Sequence, residues 1–399
     1  MVMIKVLALG YLPKWKGGRQ QSGLATGLFD LHDSVNSLGA GVKVVLAATD
    51  VFKPEMMVDN TKVLGWTKGI IVKHALKRFY RLPKFCSGAR KISKGSKIMS
   101  FSEVLVKLIF LDYAINRERP DVIHLHACVY ALYANYIWNK SIPVVLRLHG
   151  INGYDEAIEH YEEYRRIEKA ITNLDFKFVT FVTNSIKKEW EEHYGPFKCK
   201  MVGLINGYNP NVFRVTEKSP EKKYDLITFA GISERKGQGR VMEAMVMAKK
   251  DSKNLSYLII GGGADEAYKK KIEEFAAENI LDVKFMSYCP QNELPDLIAE
   301  CRYFILPSTT EGFGKVYIES IASGVPVILP KTLPIVKESI FNEKNSILTD
   351  DSSAEGIYAV IKNLPKVKNT PEDIAQTVDY LKWTNLAKEY IELYKGLGK

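Results

Sequence analysis

Glu311 and Glu319 have seven residues between them, with the turn Gly312-Phe313-Gly314-Lys315 after the first of them and apolar runs at Tyr303–Leu306 and Val325–Leu329 on either side. The runs read as buried strands, and Lys315–Ser323 as a short helix stopped by Gly324. A helix starting at such a turn points backbone N–H groups at an anion, and the glycines let a phosphate approach closely. At ~1.5 Å per residue, Glu319 lies about 6 Å along that helix, roughly the step from a diphosphate to its ribose. A carboxylate pairs naturally with a ribose diol. Two solvated glutamates on an ordinary strand-turn-helix would have the same spacing, so the neighbouring segments have to decide.

Phe229-Ala230-Gly231-Ile232-Ser233-Glu234-Arg235-Lys236-Gly237 ends another apolar run with two cations. A fixed Arg and Lys stabilise a leaving diphosphate most when its charge has fully developed. Lys14-Trp15-Lys16-Gly17-Gly18-Arg19 follows the first apolar run, and His149 closes Val144–Leu148 beside Gly150. Gly261-Gly262 end the run from Tyr257, and Tyr288 follows Val283–Met286. No D-x-D motif is present and no His/Cys/Asp cluster has ligand spacing, so the expectation is a site without a metal.

The segment from Glu311 to Glu319 resembles the signature of retaining glycosyltransferases of family 4, a GT-B group that moves a sugar from a nucleotide diphosphate to an acceptor. The other segments match that family in order. The resemblance implies catalytic roles for Lys236, Glu311, His149 and Arg235. It implies donor contacts for Gly17, Gly18, Gly262, Gly312, Phe313, Gly314, Lys315, Glu319 and Tyr288. Glu311 would meet sugar hydroxyls and Glu319 the ribose, while Gly17 and Gly18 would turn amides toward the distal phosphate and the sugar. Two positions depart from the family pattern: Ile232 stands where an Arg is usual, and Lys315 where an apolar residue is usual. Arg235-Lys236-Gly237 is similar to a variant in some lipopolysaccharide glucosyltransferases, which keeps Lys236 in its role. Retention, a front-face mechanism and the lack of any cofactor beyond the donor substrate also come from the resemblance.

The elements that must position these residues alternate apolar strands with amphipathic stretches, the pattern of an α/β doubly wound parallel sheet. The pattern runs from Lys5–Leu9 to Met201–Ile205, pauses in a polar stretch, and restarts at Leu226–Ala230. The expected division is therefore an N-terminal acceptor domain at 1–207, a linker at 208–223, a nucleotide-sugar domain at 224–375 and a terminal helical segment at 376–399. The resemblance implies GT-B architecture: two Rossmann-like domains facing a central cleft, with the terminal helix crossing back to the first.

With 46% apolar residues the chain is not of disordered composition, and its five scattered cysteines favour reduced thiols over a disulfide or metal framework. The opening run is too short for a signal-peptide core and no stretch is long enough to span a bilayer, so a cytoplasmic protein is expected. The net charge of +10 is concentrated: no acidic residue occurs between Asn60 and Ser102, while Lys62, Lys68, Lys73, Lys77, Arg78, Arg81, Lys84, Arg90, Lys91, Lys94 and Lys97 are basic. Val72, Ala75, Leu76, Phe79 and Leu82 fall at helical spacing within this segment. Segment 62–97 thus fits an anionic membrane surface or an anionic acceptor, and equally a solvated helix packed on the domain. Nucleic acid is not expected, since no zinc finger or RNA-binding motif accompanies the charge. The function expected is transfer of a sugar to a glycolipid, polyprenyl-linked or polysaccharide acceptor. The alternatives are a GT-B nucleotide-sugar epimerase or hydrolase, and a non-enzymatic basic module that binds sugar nucleotides.

Overall fold

A computed structural model describes residues 3–20, 22–156, 158–216, 221–262 and 265–397. The chain divides into two compact units, Met1–Gly207 with Trp383–Lys399, and Tyr208–Lys382. The first division falls at Gly207. The return falls at Trp383, whereas the sequence places it at 376, because Tyr208 N–H bonds to Leu381 O at 3.1 Å and ties the intervening turn to the second unit. Of the expected linker, residues 217–220 lie outside the described residues.

The first unit holds strands β1 (Ile4–Gly10), β2 (Val42–Ala48), β3 (Glu55–Val58), β4 (Thr61–Leu64), β5 (Val122–His126), β6 (Val144–Leu148), β7 (Phe178–Phe181) and β8 (Lys200–Gly203). They form one sheet in the order β3-β4-β2-β1-β5-β6-β7-β8, parallel except for the β3–β4 hairpin. That hairpin is absent from the sequence expectation, since four-residue strands show too little alternation; Asp59 turns it at φ 49°. Val6, Leu7, Val44, Leu46, Ile123 and Leu125 are fully buried, as a sheet covered on both faces requires. Short polar side chains cap helices of this unit: Ser22 accepts from Ala25 N before Gly23–Leu38, and Thr183 from Ile186 N before Asn184–Tyr194. The terminal helix Trp383–Leu397 packs on Gly23–Leu38.

The second unit holds β9 (Tyr224–Phe229), β10 (Ser256–Ile260), β11 (Asp282–Met286), β12 (Cys301–Ile305), β13 (Val327–Pro330) and β14 (Ser346–Thr349). The order is β11-β10-β9-β12-β13-β14, with all pairs parallel. Leu226, Tyr257, Ile259, Tyr303, Ile305 and Ile328 from the strands pack with Val241, Met245, Ile272 and Ile357 from the helices into one core. The parallel run of each sheet reverses its strand order, between β1 and β5 in the first and between β9 and β12 in the second. Open α/β sheets bind ligands at the carboxyl ends of the strands beside that reversal.

Candidate functional site

In the second unit the chain leaves β9 through a single helical turn, Glu234–Lys236, and leaves β12 into the turn at 312–314. Both loops therefore start at the reversal point. Gly237 takes a left-handed φ of 79°, and a Cβ there would sit 2.7 Å from Pro307 O, so the loops meet backbone to backbone at this residue. Cross-links between them are dense. Arg235 Nη1 donates to Thr310 O at 2.7 Å, and Thr309 N–H returns to Arg235 O at 3.0 Å. Lys236 Nζ forms an ion pair with Glu311 Oε1, which also accepts from Ser308 Oγ at 2.7 Å.

Gly314 is the left-handed N-cap of Lys315–Ala322, and no side chain caps this helix. Tyr317 N–H bonds back to Gly314 O at 3.0 Å, and the helix start directs its positive dipole end toward the turn. Phe313 is buried and anchors the turn. Lys315 is buried as well, with Nζ 3.2 Å from Glu319 Oε1 one helical turn on. The extra cation thus neither faces solvent nor stands alone at the helix start; it holds the carboxylate that the sequence assigns to ribose. Gly262 accepts from Ile232 N–H at 3.1 Å and fastens the end of β10 to the loop after β9. Tyr288 is exposed beyond β11.

In the first unit, Lys14–Lys16 form a helical turn closed by Gly17. A Cβ on Gly18 would lie 1.9 Å from Leu12 O, so only glycine fits there. The amides of this pair are already taken: Gly17 N–H bonds to Lys14 O and Gly18 N–H to Pro13 O, each at 3.1 Å. The loop therefore offers close approach in place of the free amides expected from the sequence. Asp50, after β2, accepts from Leu12 N at 3.0 Å and Arg19 N at 2.9 Å and pins the loop at both ends.

His149 follows β6, and its Nε2 lies 3.3 Å from Nδ1 of His126 at the end of β5. His126 Nε2 lies 2.8 Å from Nε2 of His32, on the helix Gly23–Leu38. His124 Nδ1 meets Tyr394 Oη at 2.7 Å. Burial, reinforced by the other rings and the Arg147 guanidinium, holds His124, His126 and His149 well below the usual imidazole range, and His32 at about 3. Arg147 is itself buried, donating to Leu204 O at 3.0 Å and Asn206 Oδ1 at 2.8 Å, and burial lowers it to about 9.

Folding thus gathers Arg235, Lys236, Glu311, Gly312, Phe313, Gly314, Lys315 and Glu319 at one sheet edge, and Gly17, Gly18 and His149 at the carboxyl ends of strands in the other sheet. Asp50, Ser308 and Arg240 escaped the sequence reading. Arg240 donates to Glu234 O at 2.9 Å, Pro307 O at 2.9 Å and Ser352 O at 2.7 Å, and so clamps both loops. Its position one turn beyond Lys236 is the one sequence signal that could have flagged it. Among the described residues, His32, His124 and His126 bring ligand-capable atoms within 4.8 Å of one another. Sequence spacing could not show this cluster, because it joins a helix to a strand far along the chain.

The sequence profile described as "Glycosyl transferases group 1" matches residues 211–378, and that of "Glycosyltransferase Family 4" matches residues 97–211. An uncharacterized glycosyltransferase of Methanocaldococcus jannaschii is 26% identical over 295 residues, covering 71% of this chain and 78% of its own. The D-inositol 3-phosphate glycosyltransferase of Corynebacterium urealyticum is 25% identical over 306 residues, 69% of this chain and 72% of its own. Among solved structures, sucrose-phosphate synthase from Thermosynechococcus elongatus superposes with a TM-score of 0.74 over 98% of this chain and 99% of its own at 16% identity. HepE of Anabaena, solved with UDP and glucose, gives 0.68 over 98% and 100% at 15% identity. The two profiles adjoin and together take in residues 97–378, the two sheets have the GT-B form, and the chain belongs to the family 4 glycosyltransferases.

Proposed function

We propose that the protein transfers a sugar from a uridine diphosphate sugar to a saccharide carried on a membrane lipid, with retention of configuration and without a metal. The observation that carries the donor half of this reading is the Lys236–Glu311 pair beside the uncapped start of Lys315–Ala322. A diphosphate arriving there meets helix amides and draws Lys236 away from Glu311, which frees that carboxylate for sugar hydroxyls. Glu319, held by Lys315, receives the ribose diol. Uridine is favoured because HepE was solved with UDP and the GtfA subunit of Streptococcus pneumoniae is named for UDP-N-acetylglucosamine.

In the transfer step the bond from the anomeric carbon to the leaving phosphate oxygen breaks, and a bond to the acceptor oxygen forms on the same face. The acceptor proton passes to the departing phosphate. Lys236, Arg235 and the helix start stabilise the charge that grows on the diphosphate, the role a metal plays elsewhere.

The lipid-borne acceptor rests on the helix Lys68–Lys77 and the turn Phe79–Arg81. Ile71 and His74 face inward, with His74 Nε2 2.8 Å from Asp112 Oδ2, while Val72 (57%), Leu76 (70%) and Phe79 (69%) are exposed among Lys68, Lys73 and Lys77. An apolar stripe rimmed by cations suits the headgroup boundary of an anionic bilayer. Among the described residues no helix is long and apolar enough to cross a membrane.

Calorimetric titration of UDP, GDP and ADP in EDTA, on wild type and Glu319→Ala, tests the donor. The expected result is preference for UDP, lost in the variant. Binding of none of the three overturns the donor reading. Conversion of the nucleotide sugar without any acceptor would instead identify an epimerase or hydrolase.

A further inference from the structure

The line His32–His126–His149 is unusual in that a middle ring contacts a partner through each nitrogen, at 2.8 Å and 3.3 Å. A neutral imidazole carries one N–H and one lone pair, so His126 must donate at one end and accept at the other. That leaves two arrangements. In one, His149 Nε2–H donates to His126 and His126 Nε2–H donates to His32. His32 would then carry its proton on Nδ1, which is fully buried without a partner. In the other, His32 Nε2–H donates to His126 and His126 Nδ1–H donates to His149. His32 Nδ1 is then only an unused lone pair. An orphaned buried N–H is rarer and costlier than an under-used acceptor, so the second arrangement wins.

From this geometry we infer that His32 and His126 are positioning residues that lock His149 into its Nδ1–H tautomer. His149 thereby presents a hydrogen-bond donor to a hydroxyl of a saccharide bound at the carboxyl ends of β5 and β6. The inference rests on the proposed sugar transfer only in that last step; the tautomer follows from the packing alone. Burial keeps all three rings neutral, which the donor-acceptor count requires. A metal shared by His32, His124 and His126 is the competing use of the cluster. Zinc bound tetrahedrally at 2.0–2.1 Å would hold ligand nitrogens about 3.3 Å apart. The 2.8 Å between the two Nε2 atoms is instead the length of a direct hydrogen bond. The guanidinium of Arg147 also lowers the affinity of this pocket for a cation.

The test is long-range 15N–1H correlation on histidine-labelled full-length protein, with elemental analysis of the same sample. Expected are an Nδ1–H pattern for His149 and an Nε2–H pattern for His32. In His126→Leu the His149 pattern should shift toward a tautomer mixture. His126→Asn should restore it, because an Asn amide nitrogen stands where Nδ1 stood and can donate to His149. Sugar transfer should fall at least tenfold in kcat for His126→Leu with little change in donor KM, and recover in part in His126→Asn. An Nε2–H pattern for wild-type His149, an unchanged pattern in His126→Leu, or stoichiometric bound metal overturns the inference. If the tautomers hold but His149→Ala transfers sugar normally, the assignment of His149 to the sugar site fails while the lock itself stands.

Discussion

The two sheet reversals handle polarity in opposite ways. Beside β9 and β12, charges come in facing pairs, Lys236 with Glu311 and Lys315 with Glu319, each able to exchange its partner for a ligand. Beside β1 and β5, the polar groups are neutral imidazoles packed against a buried Arg147 whose bonds go to a backbone carbonyl and an amide. Desolvation explains the contrast, since a buried charge survives only with a partner and an unpaired imidazole gives up its proton. Exchangeable ion pairs suit a diphosphate whose charge changes during reaction, and fixed neutral donors suit uncharged hydroxyls.

The largest expected effect breaks the charged side. Lys236→Ala should lower kcat for sugar transfer by about 10²–10³, the usual loss when one group stabilising transition-state charge is removed. Steady-state kinetics with saturating donor measures it. A loss confined to KM would place Lys236 in uniform binding and blunt the contrast drawn above.

Glu319→Ala should weaken nucleotide binding by about 1.5–3 kcal/mol, the range of a hydrogen bond to a charged group, as read by calorimetry. Lys315→Met separates the two halves of that pair. It leaves the carboxylate without its buried cation, so nucleotide affinity should change less than in Glu319→Ala while the thermal midpoint falls. Equal loss of affinity in both would make Lys315 a donor contact in its own right.

Residues 62–97 extend the comparison to the surface. Replacing Leu76 and Phe79 by Ser should weaken binding to vesicles containing anionic lipid at least tenfold, given ~25 cal/mol per Å² of apolar area buried. High salt should weaken the wild type too, through its lysines. Sedimentation with vesicles of defined composition measures both. If the double variant binds like wild type, the exposed stripe has no part in docking.

How legible these regions were follows from what each depends on. Glu311–Glu319 could be read because every constraint is local: a strand end, a turn and a helix start within one short segment. The same holds for β9 and β12, whose apolar runs are continuous. The Lys315–Glu319 pairing was missed although both residues were in view, since an i,i+4 neighbour is visible in the sequence but its burial is not. The exposed face of Lys68–Lys77 could not be read either; periodicity finds an apolar stripe but not whether a neighbour covers it. The imidazole line is hidden for a further reason. It joins His32, His126 and His149 from three elements and depends on which nitrogen of each ring meets the next.

That line predicts the smallest effect, and one confined to a single unit. All five tryptophans, Trp15, Trp66, Trp138, Trp190 and Trp383, belong to the first unit, so their fluorescence during urea unfolding follows that unit alone. His32 is held at about 3 when folded, against 6.5 when exposed. The unfolded chain therefore binds the extra proton between those values. Stability contributed by the neutral ring is complete above pH 6.5 and falls as the solution is acidified through the window. Each such histidine steepens the fall by up to about 1.4 kcal/mol per pH unit. Comparing wild type with His32→Leu at pH 7.5 and pH 5.5 isolates one of them: the variant should lose less stability on acidification, whatever its stability at pH 7.5. Equal losses in the two proteins would mean that His32 is protonated in the folded state, and the neutral character assigned to this line of imidazoles would fail with it.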